Sequence, residues 1–244
     1  MILSNLALKP EYVEKVKELN KKGWPEFLLH WKCPSWKRLF TDLSDFQILI
    51  LDGIKLAGFG HCVPIFIEES VISLEEDLSI LIERAAQQFD SKIKANHMLV
   101  LSAVVDEEYK GKGLSFKILN AFKKKAAQEG FKSAILPTRP IMKHKYPLIP
   151  IAEYALWKDA EGRAFDPWTR AHEKMGGQIF KTSEACMTVK GNAAQWHEWT
   201  GLDIPATGEY VIKGGLRPMS YDREKDLGVY TVPAIWMEYR IEGE

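Results

Sequence analysis

Cysteine is scarce in this chain, and its three residues lie far apart. Cys33, Cys62 and Cys186 form no CxxC pair, which argues against a disulfide framework and a zinc cluster. We therefore expect no metal and a reducing, cytoplasmic location. Long apolar runs are also missing: none reaches the ~18 residues that a membrane-spanning helix needs. The first residues show no basic region before an apolar core, so we expect no signal peptide and no membrane partner.

An excess of charge of either sign is missing as well. The 244 residues include 33 Lys and Arg and 33 Asp and Glu, so the formal net charge is zero. A global basic field that would attract nucleic acid is therefore absent, and we expect no nucleic-acid partner. The hydrophobic share of 46% and the charged share of 27% are typical of a globular protein.

Apolar spacing predicts the main secondary structure. Helices are predicted over residues 10–22, 73–89, 114–128, 167–175 and 192–199, and in parts of 24–40. Strands are predicted over 46–51, 55–64, 97–105 and 131–137, with two short strands in 178–190 and strand and turn over 209–241. Residues 140–167 are predicted to be irregular. Ser73 and Glu76 predict a capping box at the second of these helices.

Residues 97–137 form the most informative unit. An almost continuous apolar run, 97–105, is followed by an amphipathic helix and a second apolar strand. This order predicts a βαβ crossover with parallel strands, or a splayed version of one. The predicted fold class is therefore α/β (mixed α+β) with a mixed sheet.

The loop inside this unit reads DEEYKGKGLS and is a candidate anion site. Gly111 and Gly113 let the backbone approach a ligand closely, and amides at a helix start lack intrahelical partners. The helix dipole and the charges of Lys110 and Lys112 add positive potential. A pyrophosphate would fit there. The alternative is an ordinary turn between strand and helix that happens to contain glycines.

This loop resembles motif A of the GNAT superfamily of acyl-CoA N-acyltransferases, written (Q/R)-x-x-G-x-(G/A). The six matching residues are Lys110, Gly111, Lys112, Gly113, Leu114 and Ser115. Lys110 replaces Gln or Arg, and Ser115 replaces Gly or Ala. Later in the chain, HEKMGG at 172–177 resembles a second GNAT motif, Y-E-K-L-G-F, in the same order. The resemblance covers about residues 46–190, with gaps.

The resemblance implies a single domain over 1–244, with insertions near 66–95 and 140–166 and a C-terminal extension near 191–244. It implies a twisted mixed sheet with helices on both faces and a central βαβ unit, in which two central strands splay apart. Acetyl-CoA or another acyl-CoA would enter the splay as co-substrate. Its pantetheine would bond the strand near Val104 and Val105, and its pyrophosphate would meet the amides of residues 110–115.

Direct attack by an amine of a small-molecule acceptor, in a ternary complex, is the reaction that the resemblance implies. A GNAT-like domain that binds CoA without turnover and an O-acyltransferase or protein-directed acyltransferase are the alternatives, and a homodimer stays open. His172 stands where many GNATs have a Tyr that protonates the leaving thiolate, and histidine can do this near neutral pH. Packing or capping of the helix is the other interpretation of His172. His61 is the candidate general base, with a satisfied core histidine as its alternative.

Two further segments are candidates for acceptor binding. Arg139, His144 and Tyr146 follow a central strand at its carboxyl end, where open α/β sheets bind ligands. They would bind an anionic acceptor or the 3′-phosphate of CoA, unless the loop is simply solvated. Aromatic residues crowd positions 24–40, which favours either an aromatic acceptor pocket or core packing of amphipathic helices.

Overall fold

The computed structural model describes residues 1–68, 70–75 and 77–241. In this part of the chain nine strands form one mixed sheet, which confirms the predicted α/β class. The strand order is β1-β2-β3-β4-β5-β9-β8-β7, and β6 also pairs with β9. The strands are β1 Ile2–Asn5, β2 Ile48–Asp52, β3 Lys55–Ile65, β4 His97–Val105, β5 Ser133–Thr138, β6 Gln178–Gly191, β7 Gly208–Tyr210, β8 Met219–Asp222 and β9 Leu227–Arg240.

The described residues form six α-helices, of which five were predicted, with changes at some of their ends, and Ile151–Leu156 was not. They are α1 Val13–Lys22, α2 Leu78–Asp90, α3 Leu114–Gln128, α4 Ile151–Leu156, α5 Pro167–Lys174 and α6 Ala193–Thr200. The predicted start of α2 at residue 73 is wrong, because the Asp77 side chain caps the helix by accepting from the Ser79 amide at 2.7 Å. Glu76 of the predicted capping box lies outside the described residues. Short 3-10 helices at Glu26–His30 and Pro34–Phe40 occupy the aromatic-rich segment.

The central βαβ unit is splayed. β4 and β5 are parallel and pair only from His97–Ser133 to Leu99–Ile135. Beyond this point β4 pairs only with β3, and β5 only with β9. The two strands therefore separate towards their carboxyl ends, and the splay opens beside the start of α3.

The second half of the chain departs from prediction in two places. The segment predicted as two short strands is one strand, β6, whose pairing with β9 is interrupted by register shifts near Ile179 and between Ser183 and Met187. Residues 140–167, predicted to be irregular, contain α4 and a 3-10 turn at Lys143–Lys145. β9, in the segment expected as an extension, lies inside the sheet between β5 and β6.

Helices cover the two faces of the sheet. α3 packs on one face, where Ile118 and Phe122 lie in a core with residues of β2, β4 and β5. α2 and the 3-10 helix Pro34–Phe40 cover the other face, where Leu81 and Ile82 lie in a second core. α3 sits directly on Gly60 of β3: a Cβ built there would lie 2.3 Å from Phe122 Cζ. Within the described residues, no helix is both long and apolar enough to cross a membrane.

Candidate active site

The splay between β4 and β5 opens into a groove of about 910 Å³. We call it the splay groove. Its walls are β4 from Val100 to Val105 and the end of β5 from Leu136 to Arg139. Trp168 and His172 of α5 and Lys110 and Ser115 of the loop complete it. On this stretch of β4, the backbone N–H and C=O groups that do not face β3 point into the groove. A ligand there could form with them the hydrogen bonds that a neighbouring strand would form.

The loop at the open end of the groove keeps its amides free. Gly111 and Gly113 adopt positive φ of 73° each, a conformation that L side chains rarely take. In the described part of the chain, the amides of residues 111 and 113–116 donate to no backbone or side-chain acceptor. Gly113 is the N-cap residue of α3 and has no side chain to fill this role. Five unpartnered N–H groups at a helix start make an anion-binding site.

The lysines of the loop are held by local partners. Lys110 pairs with the Glu107 carboxylate, and the Lys112 ammonium lies 5.0 Å from the centre of the Tyr109 ring. The Tyr109 hydroxyl donates to the Asp52 carboxylate at 3.0 Å, which ties the loop to the β2–β3 hairpin. Both lysines are exposed, so either ammonium can turn towards a bound phosphate.

His172 lines the groove from α5 and is fully buried. Its Nδ1 lies 2.6 Å from the Tyr239 hydroxyl, and the Trp168 ring packs edge-to-face against it. Burial lowers the pKa of His172 to about 4, with a smaller opposing effect from Asp166. The imidazole is therefore neutral at pH 7. Its Nε2 has no hydrogen-bond partner among the described residues.

Asp166 fixes the position of α5, and our sequence reasoning did not single it out. Its Oδ1 accepts from the amides of Trp168 at 2.9 Å and Thr169 at 3.2 Å, so it caps the helix. Its Oδ2 accepts from the Met142 amide and the Tyr154 hydroxyl. The Asp-Pro pair at 166–167 is the local signal that would have found this cap.

His61 lies on β3 and does not line the splay groove. Gln47 Nε2 donates to the carbonyls of Leu43 and Cys62, so Gln47 Oε1 accepts from His61 Nδ1 at 2.9 Å. Burial lowers the pKa of His61 to about 3, and Nε2 has no partner in the described part of the chain. The rings of Trp36 and Phe40 pack edge-to-face against it, at 5.5 and 5.6 Å between centres.

The three candidate acceptor residues after β5 lie in different places. Arg139 is half-buried, lines the splay groove and donates to the Gly214 carbonyl. Burial lowers the pKa of its guanidinium, and its Nε has no partner among the described residues. His144 is exposed, with Nδ1 2.9 Å from the Ile141 carbonyl oxygen. Tyr146 packs among Tyr154, Trp157 and Phe165. Neither His144 nor Tyr146 lines the groove.

A second cavity, of about 870 Å³, adjoins the splay groove. We call it the aromatic cavity, because Trp24, Trp31, Trp36 and Phe40 line it together with α1. Trp24, Leu101 and Ser102 line both cavities. A ligand in one can therefore meet a ligand in the other beside Ser102, as a two-substrate reaction requires.

Ser102 was missed by the sequence analysis. It lies on β4 opposite His61, where the β3–β4 register shifts. Its hydroxyl is buried without a hydrogen-bond partner in the part of the chain that the structure describes. The residues described contain no group of three or more His, Cys, Asp or Glu able to hold a metal ion.

Comparison with curated proteins identifies one relative whose activity is known. The chain is 24% identical over 250 residues to the arginine N-acetyltransferase avaD of Aspergillus versicolor. The match covers 89% of this chain and 85% of the relative. No family model matches the chain.

Comparison with solved structures gives the fold. The loading GNATL domain of CurA from Lyngbya majuscula superposes with a TM-score of 0.65 at 16% identity, covering 98% of this chain and 97% of that one. The GphF GNAT-like decarboxylase in complex with isobutyryl-CoA superposes with a TM-score of 0.57 at 11% identity, covering 99% and 100%. The sheet order, the splay and these likenesses together show that the chain has the fold of the GNAT superfamily.

Proposed function

We propose that this protein is an acyl-CoA-dependent N-acyltransferase, which moves an acetyl or other acyl group to the amine of a small molecule. The observation that carries the proposal is the row of unpartnered amides at residues 111 and 113–116, at the open end of the splay groove. These amides suit a pyrophosphate. The curated relative, an arginine N-acetyltransferase, supports an amine acceptor, and the isobutyryl-CoA complex of GphF supports the coenzyme.

The coenzyme would lie along the groove, as the geometry of its walls suggests. The pyrophosphate would bind the loop from Lys110 to Ser115, and the pantetheine would run along Val104 and Val105. The thioester would then reach the middle of β4, where the splay groove meets the aromatic cavity. The guanidinium of Arg139, at the carboxyl end of β5, would donate hydrogen bonds to polar groups of the coenzyme or of the acceptor.

The reaction proceeds by direct attack. The amine nitrogen bonds to the thioester carbonyl carbon, the C–S bond breaks, the nitrogen loses one proton and the sulfur gains one. His172 is neutral because burial lowers its pKa to about 4. When the Tyr239 hydroxyl donates to Nδ1, the imidazole proton is on Nε2. His172 would then stabilise the leaving sulfur as a hydrogen-bond donor. His61 is separated from the acceptor by aromatic rings, so a water molecule would take the amine proton.

A second candidate function is decarboxylation of an acyl-CoA that carries a carboxylate, such as malonyl-CoA. Two buried polar atoms in the splay groove favour it: His172 Nε2 and Thr138 Oγ1 both lack partners among the residues described. They could bind the thioester oxygen as the C–C bond breaks and CO₂ leaves. The electron pair would form the enolate, which takes a proton at carbon. GphF, a GNAT-like decarboxylase, is a fold neighbour.

Thiol release measured with acetyl-CoA and a panel of amines separates these functions. We expect release that depends on an amine, and loss of both release and CoA binding in Gly113→Trp, whose side chain would fill the anion site. The matched control is Gly162→Trp, because Gly162 also has positive φ and open space around it but lies away from the groove. CO₂ from malonyl-CoA without an amine would favour the decarboxylase. CoA binding with no turnover of any substrate would refute both.

A further inference from the structure

Aromatic rings form a large part of the wall of the aromatic cavity. Trp24, Trp31, Trp36 and Phe40 are each only half-buried, so part of every ring is open to the cavity. Trp31 and Trp36 meet edge-to-face with ring centres 5.8 Å apart. The Trp24 indole N–H donates to Asn20 Oδ1 at 3.1 Å, so it is not available to a ligand. These four rings thus offer a ligand mainly aromatic surface.

The charged residues that line the cavity are half-buried or exposed, and they are Glu14, Lys17, Glu18, Lys21 and Lys37. The acidic residues that line it are Glu14 and Glu18 of α1, and both are exposed. Glu14 already pairs with Lys17 at 2.7 Å. In the part of the chain that the structure describes, no buried carboxylate lines the interior. A guanidinium or a second ammonium carried inside would therefore lose water without gaining a counter-charge.

Among the described residues that line the cavity, Ser102 is the buried polar one, and it lies where the cavity meets the splay groove. Its side chain belongs to a residue that is only 8% exposed, and its hydroxyl has no partner among the described residues. A buried hydroxyl without a partner costs free energy, which a ligand would recover by bonding to it. The hydroxyl oxygen can accept from the N–H of an amine and leave the nitrogen lone pair free.

We propose that the aromatic cavity binds the acceptor and selects an amine with an apolar or aromatic body, whose nitrogen is held by the Ser102 hydroxyl beside the thioester. This inference rests on the proposed N-acyltransferase function. The apolar wall also disfavours the ammonium form, so it shifts the bound amine towards the neutral nucleophile. The nitrogen then bonds to the thioester carbon, loses its proton to water, and the sulfur leaves with a proton.

Substrate preference is the first test, with the intact protein and acetyl-CoA. Phenethylamine, tryptamine and hexylamine are compared with arginine, agmatine and putrescine by thiol release. We expect kcat/KM to be at least about tenfold higher for the apolar amines, because the polar ones bring charge into an interior that cannot pair it. A preference of the same size for arginine or agmatine would overturn the inference and leave the N-acyltransferase function standing.

Two variants with matched controls test the residues. Ser102→Ala is expected to lower kcat/KM for phenethylamine about tenfold, with CoA affinity unchanged. Ser133→Ala is its control, since Ser133 is also buried with an unpartnered hydroxyl but lines neither cavity. Trp36→Leu should raise KM for phenethylamine more than KM for acetyl-CoA. Its control is Trp157→Leu, in the aromatic cluster of Tyr146. Equal effects in variant and control would overturn the role of Ser102 or of the ring.

Binding of phenethylamine to the CoA complex, measured by calorimetry, distinguishes the proposed acceptor site from the proposed N-acyltransferase function. CoA has no acyl group to transfer, so this measurement reports binding alone. Saturable binding that weakens in Trp36→Leu supports the acceptor site even if no turnover occurs, in which case the N-acyltransferase function fails alone. Absence of binding together with turnover of other amines would overturn the inference alone.

Discussion

At the scale of single residues, the free amides around Gly113 are the feature on which the proposed coenzyme site depends. They arise because Gly111 and Gly113, the two glycines of the KGKG run, take positive φ and because the N-cap of α3 has no side chain that could accept from them. Such a site attracts any negative charge, so a carboxylate built into it would compete with a bound anion for the same amides. A carboxylate substituted at this site should therefore weaken CoA binding and at the same time stabilise α3.

Ser115→Asp should weaken CoA binding about tenfold or more, because a carboxylate in the first turn of α3 competes with the pyrophosphate for the amides. The same charge interacts favourably with the helix dipole, so the melting temperature should not fall. Calorimetry and thermal denaturation measure the two effects. Ser115→Asn, which adds similar volume without charge, is the control and should bind CoA more tightly than Ser115→Asp. Equal affinity of the two variants would contradict the anion site.

His172 gives a prediction about the pH profile of the rate. Because burial lowers its pKa to about 4, the imidazole does not titrate between about pH 6 and pH 9. We expect log kcat/KM to rise with pH as the amine loses its proton, with the same shape in wild type and His172→Gln but a lower level in the variant. A wild-type inflection near pH 6.5 that the variant lacks would show that His172 titrates in the reaction.

Single residues also show what sequence could and could not predict. The loop at 110–115 could be singled out from sequence because its glycines, lysines and helix start are neighbours in the chain, and its role in anion binding stays a prediction. Ser102 was not, because its importance comes from a cavity formed by elements far apart in sequence. Arg139, His144 and Tyr146 lie close together in sequence. The 3-10 turn at Lys143–Lys145 and the packing of Tyr146 nevertheless separate their side chains in the structure.

At the scale of elements, α3 lies in close contact with β3. Gly60 has no Cβ, which lets Phe122 and Ile118 lie directly on the strand. α3 also packs against β4 and β5, so it helps to fix the two strands that flank the splay. The position of the anion loop, at the start of α3, is therefore set by packing near the middle of the helix.

Gly60→Ala should destabilise the protein by about 1–3 kcal/mol, because the new methyl group overlaps the Phe122 ring and α3 must shift. Urea denaturation measures the free energy of unfolding. Gly208→Ala serves as control: its Cβ would meet only Tyr210, at 3.8 Å, and φ there is not positive. If the two variants were equally stable, α3 would not be held against β3 as described.

Elements differ in how far local sequence determines them. α3 and β4 were predicted with their ends correct because their apolar patterns are long and their flanking turns contain glycine. β6 was predicted as two strands, because its interruptions near Ser183 break the alternation of apolar residues. The place of β9 between β5 and β6 follows from long-range pairing, which no local pattern indicates.

At the scale of the whole molecule, the buried histidines make stability depend on pH. Burial lowers the pKa of His61 to about 3 and of His172 to about 4, from the ordinary 6.5. Between pH 6.5 and these values the unfolded chain binds protons that the folded chain does not. The free energy of unfolding therefore falls as the pH falls through this range.

At about pH 5 each histidine should cost about 2 kcal/mol relative to pH 7. The variant His61→Asn removes one of these contributions. We expect its free energy of unfolding, measured by urea denaturation at the two pH values, to fall by about 2 kcal/mol less than that of wild type. An identical fall in both proteins would mean that His61 is protonated while the protein is folded.

The place of β9 also has a consequence for biosynthesis. Its residues follow all the other strands in sequence, yet Ser133 pairs with Arg240 and β6 needs β9 as its neighbour. As the ribosome makes the chain, β5 and β6 emerge with open edges and wait for a partner that is translated after them. Exposed edges of this kind promote aggregation, so the nascent chain is most open to it until β9 has been made.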